Sequence, residues 1–147
     1  MRIKPKFNWT EIFSQLECDK YNPQGKTIEE GLHCFTLILQ YLKITGHDVS
    51  FENELLDGYT HQNINERWNQ DQLAAIKMCE RYFAPVVHKI SISDLKVGDM
   101  MVVQARNRYI PGIYCGNGKL FTMLEEGTVR INLALTKIVS VFRGNNI

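Results

Sequence analysis

Gly25-Lys26-Thr27-Ile28-Glu29-Glu30-Gly31-Leu32-His33-Cys34, running into Phe35-Thr36-Leu37-Ile38-Leu39-Gln40-Tyr41-Leu42, is the stretch on which the fold turns. From Phe35 the apolar residues Phe35, Ile38, Leu39 and Leu42 recur at spacings of three and four, which predicts a helix with one face in a core. Gly46 stops it. Thr27-Ile28-Glu29-Glu30 has the form of a capping box, but Gly31 in a continuing helix would cost about 1 kcal/mol. A short turn over Thr27 to Gly31, with the main helix beginning near His33 or Cys34, satisfies both signals. A thiol on that first turn faces unpaired backbone N–H groups and the positive end of the helix dipole, which favours the thiolate. Position alone makes Cys34 no more than a small buried hydrophobe; the surrounding pattern has to decide.

Upstream, Trp9, Ile12, Phe13 and Leu16 are spaced for one amphipathic helix after Pro5, packing on the main helix. Tyr21-Asn22-Pro23-Gln24-Gly25 is turn chemistry. Downstream, Gly46 to Ser50 closes the main helix, and the polar stretch from Phe51 to Asn65 reads as a long irregular connection, a kind often functional in compact domains. Asn65 can cap a third helix with Glu66 in its first turn and Leu73, Ile76, Cys79 and Phe83 as its apolar stripe, ending before Pro85. From Val86 onward the pattern changes to strands. Ser93 to Asp99 is a turn into Met100 to Gln104, followed by Tyr109 to Cys115, Lys119 to Leu124, Thr128 to Leu133 and Lys137 to Phe142. Asn117-Gly118 between apolar runs is a strong hairpin signal. Helices followed by strands without alternation indicate an α+β domain, with N-terminal helices packed on a mainly antiparallel sheet of about five strands.

The 147 residues, 44% of them hydrophobic, suit a single domain spanning 1–147. A net charge of +1, from 17 basic and 16 acidic residues well mixed, gives no footprint for nucleic acid or an acidic lipid surface. The basic start Met1 to Lys6 leads into Phe7-Asn8-Trp9-Thr10-Glu11 rather than an apolar run, so no secretory signal or membrane-spanning stretch is expected and the chain is expected to be made in a cytoplasm. Cys18, Cys34, Cys79 and Cys115 include no Cys-x-x-Cys pair and have no His-x-x-x-His partner. Neither a metal site nor a cofactor is expected, and the thiols are expected to be free.

Taken in order, Tyr21 with its glycine turn, Glu30-Gly31-Leu32-His33-Cys34 opening a helix, Leu95-Lys96-Val97-Gly98-Asp99-Met100, Gly112-Ile113-Tyr114-Cys115-Gly116-Asn117-Gly118, and Gly127-Thr128-Val129-Arg130-Ile131 resemble the NlpC-type cell-wall peptidases. These are papain-like cysteine peptidases. The resemblance covers roughly residues 7 to 143 and is nearest to the compact versions in phage tail-tip proteins. It implies Cys34 as the nucleophile and Tyr21 as a residue shaping the site, with His33 where the family usually has Asp. The family's catalytic His begins a strand as His-Val-Gly-Ile-Tyr, and the aligned residues here are Ile110-Pro111-Gly112-Ile113-Tyr114. Ile110 therefore occupies the base position and cannot accept a proton. Pro111 also lacks a backbone donor, an awkward property inside a central strand. The third catalytic position falls near Thr122, which reads as an outward-facing strand threonine.

Three functions follow. The first is a catalytically degenerate NlpC-type domain acting as a structural or assembly part of a phage tail tip or related injection device, with other tail or assembly proteins as partners and a place in the virion. The second is an active peptidoglycan amidase or endopeptidase that uses Cys34 with a displaced base, His33 or His61. The third is a module that holds a cell-wall peptide without cutting it. His47, His61 and His88 read as surface or capping residues, His61 being the one whose loop could reach across a cleft.

Overall fold

The computed structural model describes residues 7–22, 28–32, 34–49, 80–81, 83–105 and 108–147, with the backbone alone at Cys34 and Phe35. Helix α1 is Trp9–Leu16. Asn8 caps it, its side-chain oxygen accepting from Glu11 N–H at 3.2 Å and satisfying one of the donors that a helix start leaves open. Helix α2 is Cys34–Ile44, so the helix begins at the cysteine. Before it, residues 28–30 form a turn. Gly31 takes φ +97°, and a Cβ there would lie 2.7 Å from Lys20 O. Left-handed backbone and close approach both demand glycine, which is why the helix cannot start earlier. At the other end Gly46 has φ +82°, and Gly46 N–H and His47 N–H donate to Lys43 O at 3.1 Å and Leu42 O at 2.9 Å, the left-handed glycine stop of a helix C-terminus.

The stripe from Ile38 to Leu42 is buried as the spacing predicts, but Thr36, Leu37 and Tyr41 are buried as well. α2 therefore buries more than one face. α1 packs on one side of it and the sheet on another, and only Gln40, Lys43 and Ile44 retain much exposure after Thr36.

Among the described residues the sheet has six antiparallel strands: β1 Val87–Lys89, β2 Met100–Ala105, β3 Arg108–Gly116, β4 Lys119–Leu124, β5 Gly127–Asn132 and β6 Lys137–Gly144, in the order β1-β6-β2-β3-β4-β5. The strand added to the five legible in the sequence is β1, three residues long and paired with the distant Phe142–Gly144. The β3–β4 hairpin turns at Asn117 and Gly118, φ 54° and 70°, as an Asn-Gly pair should. Both sheet faces are apolar. Met100, Val102, Ile113, Phe121 and Met123 join α1 and α2 in one cluster, while Met101, Val103, Ile110, Leu120 and Val141 form a second. This explains the unbroken run Met100-Met101-Val102-Val103, since a strand covered on both sides loses the alternation of a half-solvated one.

Glu80, Arg81 and Phe83 are helical and Ala84 N–H donates to Glu80 O, so the expected third helix ends before Pro85. The rest of that helix and the connection expected over 51–65 lie outside the described residues. No helix among the described residues is long and apolar enough to cross a membrane. His88 is a surface residue, exposed within β1, with Nδ1 2.8 Å from Asn145 Oδ1. His47 is a capping one, its N–H donating to Leu42 O, and it is only 8% exposed because the Gly144–Ile147 segment folds over it.

Candidate active site

The segment before Cys34 is held against residues 20–22. Leu32 N–H donates to Lys20 O and Asn22 N–H to Leu32 O, both at 3.0 Å, a parallel bridge that sets Tyr21 beside Leu32. Tyr21 is half-buried and packs on the helix-side core. The backbone thus places Tyr21 next to the residue two positions before Cys34.

The strap carrying Tyr21 is itself anchored on the sheet edge. Thr128 N–H donates to Cys18 O at 2.8 Å and Cys18 N–H donates to Thr128 Oγ1 at 3.1 Å. Gly127 makes room with φ +108°, since a Cβ there would sit 2.8 Å from Cys18 O. The sequence Gly127-Thr128 is therefore a docking seat for the strap. The Cys18 thiol, buried, faces Lys20 O at 3.4 Å and Ile28 O at 3.5 Å, a structural role. A groove of about 350 Å³ runs along the strap, lined by Glu17, Cys18, Asp19, Ile28, Glu126 and Thr128.

Leu95-Lys96-Val97-Gly98-Asp99 is a clamp rather than a reagent. Asp99 is fully buried, receiving Arg143 Nε at 2.8 Å, Arg143 Nη2 at 2.9 Å and Lys96 N–H at 2.8 Å. Arg143 Nη2 also donates to Asp94 O at 2.8 Å. The Tyr41 hydroxyl donates to Gly98 O, so the turn before β2 is tied to α2 on one side and to β6 on the other. Burial, and after it the Asp99 charge, pushes the Tyr41 hydroxyl far above its ordinary range; it stays a hydrogen-bond donor at every physiological pH. Sequence reasoning missed this clamp. Its signal was a carboxylate immediately before an apolar strand, where a charge stays only if paired.

Ile110 and Thr122 form the other pair. Ile110 is 6% exposed and packs among Met101, Val103, Leu120 and Val141, a cluster that contains no α2 residue. Thr122 is not outward-facing, as its polar character suggested, but fully buried, because the second apolar cluster covers that face of the sheet as well. Its hydroxyl donates to Pro111 O at 2.8 Å. The placement of Pro111 follows from the same contact. Tyr114 N–H and O bond to Asp99 O and Gly98 N–H on the β2 side, so by alternation the polar groups of Ile113 and Pro111 point toward β4. The β3–β4 pairing runs from Gly116 only to Ile113 opposite Phe121. Proline's missing N–H thus falls where the ladder has already ended, and its carbonyl is served by a side chain instead of by backbone. Thr122→Val, nearly isosteric, is expected to cost about 1–2 kcal/mol by leaving that buried carbonyl unpaired; urea denaturation checks it.

Neither described histidine can serve Cys34. His47 lies at the far end of α2, roughly 16 Å along the axis at 1.5 Å per residue, and His88 is engaged by Asn145 on the β1 edge. His33 and His61 lie outside the described residues. Cys115 and Cys18 carry free thiols; burial pushes the Cys115 thiol up, against a smaller opposing pull from Arg130, so it is not an activated nucleophile. Among the described residues no group of three or more His, Cys, Asp or Glu could hold a metal ion.

No family model matches this sequence, and no curated protein does. Solved structures do. The crystal structure of the NlpC/p60 domain of the peptidoglycan hydrolase SagA matches with a TM-score of 0.55, over 92% of this chain and 97% of that one. The chain has the NlpC/p60 fold. Sequence identity across that match is 18%, so what is shared is the architecture. Within an NlpC/p60 fold the five stretches of resemblance acquire structural meanings: Gly31 and Gly127 admit the strap, Gly98-Asp99 joins α2 to the sheet, and Asn117-Gly118 turns the hairpin.

Proposed function

We propose that this chain is a non-hydrolytic NlpC/p60 domain that works as a structural or assembly component, in a phage tail tip or related injection device. The observation that carries the proposal is Ile110, an aliphatic side chain sealed in an apolar cluster at the position aligned with the family's catalytic base. A thiol peptidase needs a base within hydrogen-bond reach, both to hold the thiolate as an ion pair and to protonate the leaving amine. Removing one member of such a unit costs on the order of four to six powers of ten in rate, by analogy with serine hydrolases. The dipole of α2 can favour a thiolate on Cys34 but cannot deliver a proton. Thr122, whose hydroxyl is committed to Pro111 O, offers nothing to orient an imidazole. The tail-tip setting is supported by the order of motifs, which resembles the compact tail versions of the family.

Particles assembled with Cys34→Ala in place of the natural chain are expected in unchanged yield and infectivity. A loss of either with that variant contradicts the assembly role. Tight muropeptide binding by calorimetry without turnover would instead favour a module that retains the cleft as a cell-wall peptide receptor.

A further inference from the structure

We propose that His47 is an acid-sensitive latch that fastens the Gly144–Ile147 segment to the C-terminal end of α2 and lets it go when the imidazole is protonated. Asn146 N–H donates to His47 Nε2 at 3.2 Å, which requires a lone pair on Nε2 and therefore puts the ring proton on Nδ1. Nδ1–H then donates to Thr45 Oγ1 at 2.9 Å, and the Thr45 hydroxyl donates in turn to Tyr41 O at 2.9 Å. Every polar atom is satisfied in the neutral state alone. A proton added at Nε2 sets one N–H against another and leaves a charge in a site that is 8% exposed.

The segment released is one that ties elements together. Asn146 Nδ2 donates to Gly46 O at 2.9 Å, while Asn145 N–H and Nδ2 donate to Val86 O at 2.8 Å and Pro85 O at 3.3 Å. It thus staples the end of α2 to the start of the edge strand β1. Gly144 lies flat against the ring, where a Cβ would come within 2.6 Å of Cε1 and Nε2, so the imidazole and the segment are fitted to each other. Among the described residues, the charged and titratable groups on the surrounding elements are Tyr41 and Lys43 on α2 with Asp48 after it, Lys137 and Arg143 on β6, and His88 and Lys89 on β1. Arg143 is held by Asp99. His88 is bonded to Asn145, and Lys43 and Asp48 each have partners of their own.

Burial holds the His47 imidazole below its ordinary 6.5, outweighing the opposite effect of the Leu42 carbonyl. Because the value in the closed form is lowered, the open form binds the proton first. Closure is therefore fully favoured above about pH 6.5 and weakens as the pH falls from there through the closed-form value. The inference stands apart from the proposed assembly role, since it concerns the opposite end of α2 from Cys34.

Hydrogen exchange resolved by NMR tests it on the intact chain. The Asn146 amide is expected to lose protection by about tenfold or more between pH 7.5 and 5, after correction for intrinsic exchange, while Val103 and Ile113 in the sheet keep theirs. In His47→Gln the Asn146 protection should not depend on pH; in His88→Gln the pH dependence should remain. The latch is overturned by pH-independent protection in the natural chain, by equal loss of protection throughout the sheet, or by an imidazole at His47 that titrates at or above 6.5 in the natural chain.

Discussion

Asp99→Ala is expected to lower stability by about 3–5 kcal/mol, which for a chain of this size moves the thermal midpoint down by roughly 10–16 °C. The carboxylate is fully buried and takes three donors, two from Arg143 and one from the Lys96 amide. Removing it leaves a guanidinium that is 17% exposed without its counter-charge, and a cut pair costs far more than an absent one. Asp99→Asn combined with Arg143→Met keeps an acceptor for Lys96 N–H and removes both charges, so it should lose clearly less than the single alanine change. Chemical denaturation of the three proteins distinguishes the cases. If Asp99→Ala costs under about 1 kcal/mol, the range of an exposed pair, the clamp does not hold the sheet to the turn.

Gly98→Ala is expected to cost about 2–4 kcal/mol, the sum of a left-handed backbone that L-residues resist and the disturbed packing of an aromatic ring. Gly98 has φ +95°, and a Cβ there would lie 2.2 Å from Trp9 Cη2 and 2.7 Å from Cζ2 and Cζ3. Something has to shift, and each alternative is opposed. Moving the turn breaks the bond from the Tyr41 hydroxyl to Gly98 O. Moving Trp9 disturbs its contacts with Phe7, Phe13 and Tyr41, whose ring centroids lie 5.3, 6.4 and 6.5 Å away. In a double-mutant cycle, Gly98→Ala is expected to cost less in a Trp9→Ala background than alone, because the ring is no longer there to be displaced. Additive effects would show that strain in the backbone, not contact with α1, makes glycine necessary.

The start of α2 was legible because two local rules conflicted at Gly31 and only one helix boundary resolved them. The Asn117-Gly118 hairpin was legible for the same reason, being decided by a few neighbouring residues. What could not be read was set by distant partners. Three residues do not announce a strand, and β1 exists because Phe142–Gly144 pairs with it across the chain. Thr122 was read outward because a polar residue in a strand ordinarily faces water; the second apolar cluster removes the water. The burial of Tyr41, beyond the single stripe, comes with the stacking of Trp9 of α1 on its ring, a contact that the periodicity of α2 alone does not encode. Within the candidate site, Cys34 and Tyr21 were singled out by motif, whereas the bridge that sets Tyr21 beside Leu32 joins distant segments and had no local signal.

The proposed lack of a base for Cys34 is tested most directly by incubating peptidoglycan fragments with the natural chain and with Cys34→Ala, followed by chromatography of the stem peptides. Identical profiles for the two proteins, neither differing from the untreated fragments, are the expected result. Cleavage products formed by the natural chain and absent with Cys34→Ala would contradict it.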